Sequence, residues 1–290
     1  MASYLSKLAL GASQFRFEGA PAHPRARTPQ AEVAEIVTVA ARAGVRLLDA
    51  GVSYDSAETM IGSAPSLHEF RLLVRAARPD KGPEHVEAEA RASLARLGVT
   101  KAEAIIVQNA GDLFGRHGPD LWDKLMDLKA RGLFDKIGIV ALASDDPIGI
   151  AKRFHPDIIQ SPASLLDQRL LTSNVLATVA SLGVEVHLRS IFMQGLIFLP
   201  PDRMTGPLKG AASSLSRVRR MIAEGKSDPL QAAIGFALSR AEASQVVINV
   251  TSAQELSAML AAAASPPPEL DWDRMAIDDA AALNHGSVAA

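Results

Sequence analysis

Eight short apolar runs, each parted from the next by a longer stretch, constrain this chain more than any other feature in it. The runs lie at residues 7–12, 46–50, 71–76, 104–108, 136–141, 157–160, 185–191 and 245–250. Between them, residues 31–43, 85–97, 121–130, 174–182 and 230–239 carry apolar side chains three and four apart, the spacing of one helix face. Gly44, Gly98 and Gly183 stand just past the last turn of such stretches, where a left-handed residue ends a helix. Strand–helix alternation at this interval needs parallel strands joined by crossover helices. Eight such units close into a (β/α)₈ TIM barrel of α/β class. The alternative is an open doubly wound sheet, whose Gly-x-Gly-x-x-Gly turn does not follow the first strand here.

Two segments break the rhythm. Residues 199–214 (LPPDRMTGPLKGAASS) form a Pro/Gly-rich stretch after the seventh strand, predicted to be a long functional or mobile loop. Residues 266–290 begin with three prolines and continue acidic and Ala-rich, which predicts a C-terminal helical appendage packed on the barrel. No shift in composition marks a second domain, so residues 1–290 are expected to form one.

Composition narrows the function classes. Both charge signs are interspersed at a net −2, which gives nucleic acid or an anionic membrane no basic field to meet. With no cysteine, disulfides, thiolate metal sites and a Cys nucleophile are excluded. The histidines (His23, His68, His85, His117, His155, His187, His285) show no metal-ligand spacing, and His187 is expected to be a satisfied packing residue of strand seven. The N-terminus lacks a cleavable apolar leader, and no apolar run approaches ~18 residues. A cytoplasmic monomer or homodimer acting on a small molecule is the expectation.

In a barrel of this kind the site lies at the C-terminal ends of the strands. The second unit there reads Gly44-Val-Arg-Leu-Leu-Asp49, then Tyr54, Glu58 and Gly62. This resembles the signature of the aldo-keto reductases. Ser-Leu-Ala-Arg-Leu-Gly (93–98), Ile-Ile-Gln-Ser-Pro-Ala-Ser-Leu-Leu-Asp-Gln-Arg (158–169) and Arg-Ser-Ile-Phe-Met-Gln-Gly-Leu-Ile (189–197) are similar to later blocks of that family's bacterial members.

The resemblance implies hydride transfer between NADP or NAD and a small carbonyl or sugar-like substrate. By the same resemblance Tyr54 is the proton donor and Asp49 part of its electrostatic support. The family's Lys falls on Arg75 and its His on Gln108. Arg75 can still favour a phenolate by charge. Gln108 can donate an N–H to a carbonyl oxygen but cannot titrate.

Cofactor contacts implied by the resemblance are Gly11, Gln160, Arg189, Ser190, Gln194, Gly195, Thr251 and Ser252. Other cofactor positions differ. Val140 and Ala141 take the places of a Ser-Asn pair that holds the nicotinamide amide, and no Lys or Arg follows Ser252 to grip a 2′-phosphate. Arg75 and Arg78 are candidates for an anionic substrate group, and Gln108 and Asn109 for polar contacts at the mouth. The altered positions leave a second class of reading open: a barrel without redox chemistry, working as a lyase or isomerase through Tyr54 and Arg75, or binding a ligand without turnover.

Overall fold

The protein is described from a computed structural model covering residues 4–15, 28–50 and 55–284, with the side chains of residues 55 and 56 left aside. Eight parallel strands close into a barrel in chain order, β1 pairing with β8. They are β1 Leu8–Gly11, β2 Leu47–Asp49, β3 Arg71–Arg75, β4 Ala102–Val107, β5 Phe134–Val140, β6 Ile158–Pro162, β7 Glu185–Arg189 and β8 Ala243–Asn249. The helices are α1 Gln30–Arg42, α2 Asp55–Gly62, α3 Pro83–Arg96, α4 Gly118–Ala130, α5 Pro147–Phe154, α6 Arg169–Thr172, α7 Val175–Ser181, α8 Ala212–Glu224, α9 Pro229–Leu238, α10 Ala253–Ala264 and α11 Ala280–Leu283.

Alternation along each strand sorts side chains into two layers. Leu48, Val74, Ile105, Ile139, Ile159, Leu188 and Val246 point outward into the main core beneath the helices. Ala9, Leu47, Leu73, Ala104, Ile106, Val140, Ile158 and Val247 fill the interior. The lumen is tight: a Cβ at Gly138 would collide with the end of Ile106 and lie 3.1 Å from the Ile158 Cβ. The residues above this apolar plug are therefore the ones the barrel presents at its mouth.

Half of the signature around Asp49 is structural. Glu58 is almost fully buried in α2, where it accepts hydrogen bonds from Ser93 Oγ and from Arg96 Nε, the latter at 2.6 Å. Both partners belong to α3 and to the block at 93–98. Gly62 lets α2 approach α3 so closely that a Cβ there would press on the backbone of Arg96 and Leu97. These two motifs occur together because they form one helix–helix contact.

Two expectations need correction. The segment after β7 is not a long open loop. It folds into 3₁₀ turns at Met193–Phe198, Pro201–Arg203 and Gly206–Ala211, and α8 has already begun at Ala212. Met193, Leu196, Ile197 and Met204 anchor those turns in a second apolar cluster with α8 and α9, while Asp202, Arg203, Thr205, Gly206, Pro207, Lys209 and Gly210 stay exposed. The C-terminal segment does pack on the barrel, but only Ala280–Leu283 within its described part is α-helical. Its hold is otherwise local: Met275 and Ile277 insert into the second cluster, Ile277 N–H donates to Leu166 O at 2.9 Å, and Gln168 Nε2 donates to Trp272 O at 2.7 Å. Three prolines remove three backbone donors at its start, which suits an extended strap better than a helix.

Candidate active site

Strand parity carries Asp49, Arg75, Gln160 and Arg189 to the inner face of the barrel mouth. Three of them form a closed triangle. Arg75 Nη2 donates to Asp49 Oδ2 at 2.5 Å, Arg75 Nη1 donates to Gln160 Oε1 at 3.0 Å, and Gln160 Nε2 donates to Asp49 Oδ2 at 2.9 Å. Exposures of 3% for Asp49, 7% for Arg75 and 0% for Gln160 put the whole unit out of water. The chemistry fixes the amide's orientation: a guanidinium only donates and a carboxylate only accepts, so the Gln160 oxygen must face Arg75. A buried ion pair of this kind holds its geometry because the neutral amide satisfies a further donor and acceptor. Arg75 Nε and Gln108 Oε1 are buried beside it with no hydrogen-bond partner.

Arg189 closes β7 next to this triangle. Among the described residues no acceptor takes a hydrogen bond from its guanidinium. Desolvation first, then repulsion from Arg75, pull its pKa down to about 10, with Asp49 pulling the other way. It keeps its charge at neutral pH and opens onto a cavity of about 580 Å³ above the ends of β4 to β7. Gln108, Asn109, Ser144, Ser190, Gln194 and Asn284 supply much of the polar lining. Asp167 and Arg169, also in the wall, neutralise each other through bonds of 2.9 and 2.8 Å.

The remaining sequence-predicted residues scatter. Ser190 and Gln194 line the cavity, on backbone with φ of 58° and 53°, whereas Gly195 is buried and outside the lining. Gly11 gives Asn249 room to cross the top of the β1–β8 seam, where Asn249 Oδ1 accepts from Ser13 Oγ at 2.8 Å. Thr251 and Ser252 are committed to the start of α10. Ser252 caps the Glu255 N–H at 3.1 Å, and Glu255 Oε2 takes both Thr251 N–H at 2.8 Å and Thr251 Oγ at 2.9 Å. This is close to a capping box on Ser-x-x-Glu at 252–255, except that Glu255 reaches back to the N–H of Thr251, one residue before the cap. Arg78 is exposed and pairs with Asp112 at 3.0 Å, away from the cavity wall. Tyr54 lies outside the described residues. His187 sits in β7, buried as expected, but neither ring nitrogen is hydrogen-bonded, Glu185 standing 3.7 Å off.

The model of the aldo/keto reductase family matches residues 7–278. The chain belongs to that family. A curated aldo-keto reductase from Mycolicibacterium smegmatis is 30% identical over 120 residues, 40% of this chain and 42% of that protein, so the match spans less than half the length of this relative. Among solved structures, the aldo-keto reductase AKR11C1 from Bacillus halodurans superposes with TM-scores of 0.71 in its holo form and 0.70 in its apo form. The identities are 18% and 17%, with 93% of this chain and 90% of that one covered. At such identity the likeness is one of fold.

Aldo-keto reductases work with NAD(P)H. At the α10 N-terminus, Ala253 N–H donates to Glu32 Oε1 at 2.7 Å and Glu255 N–H to Ser252 Oγ at 3.1 Å, while Thr251 N–H, just before the helix, donates to Glu255 Oε2 at 2.8 Å. A helix N-terminus attracts anions, and two carboxylates of the protein already stand at this one. The cavity has the size and polarity to take the nicotinamide half of a dinucleotide, a half that NAD(H) and NADP(H) share. Ser190, Gln194 and the free Nδ2 of Asn109 are the groups that would hold it, since Asn109 uses only its oxygen, on Gly111 N–H. Sequence reasoning missed Ser13, Asn249 and the wall residues Leu283 and Asn284. Inward parity along β8 reaches Asn249; nothing local in the sequence signals the tail's approach.

Proposed function

We propose that this protein is an NAD(H)-linked oxidoreductase acting on a small hydroxylated carbonyl, with Tyr54 as proton donor. The observation that carries this reading is the buried Asp49–Arg75–Gln160 triangle beside a polar cavity at the barrel mouth. When bound, the cofactor supplies or takes the hydride. The chain's own groups do the rest. Arg75 keeps a cation near the base of the cavity, which by the family resemblance would favour an ionised phenol on Tyr54 and stabilise the negative charge that develops as its proton leaves. Asp49 and Gln160 hold that guanidinium in one orientation. Gln108 orients the substrate carbonyl through its amide, a fixed donor in place of a titrating one.

Tyr54→Phe is the direct test. Removal of a general acid costs about 10²–10⁴-fold in turnover, with the melting temperature and NADH affinity nearly unchanged. Unchanged turnover would end the assignment of Tyr54.

One observation favours a second reading. The Gln160 amide is spent on Asp49 and Arg75, and Val140 and Ala141 offer no side-chain donor, so three positions implied to hold the nicotinamide amide are unavailable for it. A lyase, an isomerase or a ligand-binding barrel would retain the triangle and the cavity without the dinucleotide. Titration with NADH separates the two classes.

A further inference from the structure

The cavity contains a cation, Arg189, that no described residue meets in a hydrogen bond or an ion pair. Of the two arginines in its wall, Arg169 is neutralised by Asp167, whereas Arg189 has no carboxylate within salt-bridge distance among the described residues. Asp49 is the nearest compensation in sign, but Arg75 already occupies it at 2.5 Å. The cavity's other carboxylate, Asp145, is tied to its own turn by Leu142 N–H at 2.8 Å and Ser144 Oγ at 3.2 Å. A poorly hydrated, unpaired guanidinium weakens the free protein, and such a group in a cleft marks a place kept for a ligand.

We propose that the cavity takes a substrate bearing a carboxylate, held by the planar fork of Arg189 with Gln108 beside it. A guanidinium binds a carboxylate through two parallel N–H···O bonds, and both strengthen where water is thin. One uncompensated cation answers one negative charge. A dianionic phosphate would bring a second charge into a cavity that also contains Asp145, which selects the carboxylate among anions. The substrate class is therefore an oxo acid or sugar acid rather than a neutral sugar. This deepens the oxidoreductase reading and rests on it only in treating the cavity as the substrate site.

The test is calorimetric titration at fixed ionic strength with acetate, pyruvate and D-glucuronate, each against a neutral counterpart: acetamide, hydroxyacetone and D-glucose. Inorganic phosphate is the control for anion type. At least one carboxylate is expected to bind about tenfold or more tightly than its counterpart and more tightly than phosphate. In Arg189→Gln that preference is expected to fall to about twofold or less. The variant leaves no group unpaired, so its melting temperature should equal or exceed the parent's. No preference for any carboxylate, a preference that survives Arg189→Gln, or phosphate binding more tightly than every carboxylate would each overturn the proposal. No nicotinamide cofactor is present in this titration. A failure here therefore leaves hydride transfer untouched, and a failure of NADH binding leaves the carboxylate preference standing.

Discussion

Arg75 and Asp49 place opposite charges side by side in the barrel, and their mutual dependence is measurable. Asp49→Ala strands a buried guanidinium and Arg75→Met strands a buried carboxylate, each costing about 3–5 kcal/mol in urea unfolding. The double variant is expected to cost clearly less than the sum, because it removes both charges together. Additive losses would mean that the pair is not a unit. Strand parity in the sequence was enough to bring Asp49, Arg75, Gln160 and Arg189 to the mouth. It could not say how their polar atoms are spent. The Gln160 amide meets partners 85 and 111 residues away, a choice made by barrel closure rather than by local pattern. Thr251 and Ser252 illustrate the reverse case: the Ser-x-x-Glu spacing at the start of α10 is a local cap signal that went unread, and it competes with the ligand role that resemblance implied.

All eight strands were legible to within one or two residues at their ends, because apolar runs bounded by turn residues set their lengths. The glycine ends of helices were as clear: Gly44 and Gly98 follow α1 and α3 at φ of 87° and 70°. The 3₁₀ turns after β7 were not legible, since Pro and Gly signal a break in helix without signalling which local geometry replaces it. Gly11 shows how little slack the seam between β1 and β8 has. A Cβ there would sit 2.9 Å from Val247 Cγ1 and press on the Asn249 side chain. Gly11→Ala should therefore cost about 1–3 kcal/mol, read as a lowered melting temperature. An unchanged melting temperature would show that the seam can yield.

Seen whole, the molecule is a barrel whose chain returns to cover its own mouth. The C-terminal strap runs across α8 and α9, and its last described residues, Leu283 and Asn284, stand in the cavity wall. Removing residues 279–290 keeps Met275 and Ile277 in the core but opens that wall. Ligand affinity should fall about tenfold, equivalent to about 1.4 kcal/mol, with the circular dichroism of the barrel retained. Equal affinity in the truncated protein would remove the strap from the site. The family and the closed barrel are firm for this chain; the cofactor is the joint on which its chemistry turns. The measurement to make first is a fluorescence titration of the intact protein with NADH and, in parallel, NADPH. Micromolar binding of NADH is expected, with NADPH weaker by about tenfold or more because Glu32 and Glu255 occupy the α10 N-terminus. No binding of either up to millimolar concentration would contradict hydride transfer in this barrel.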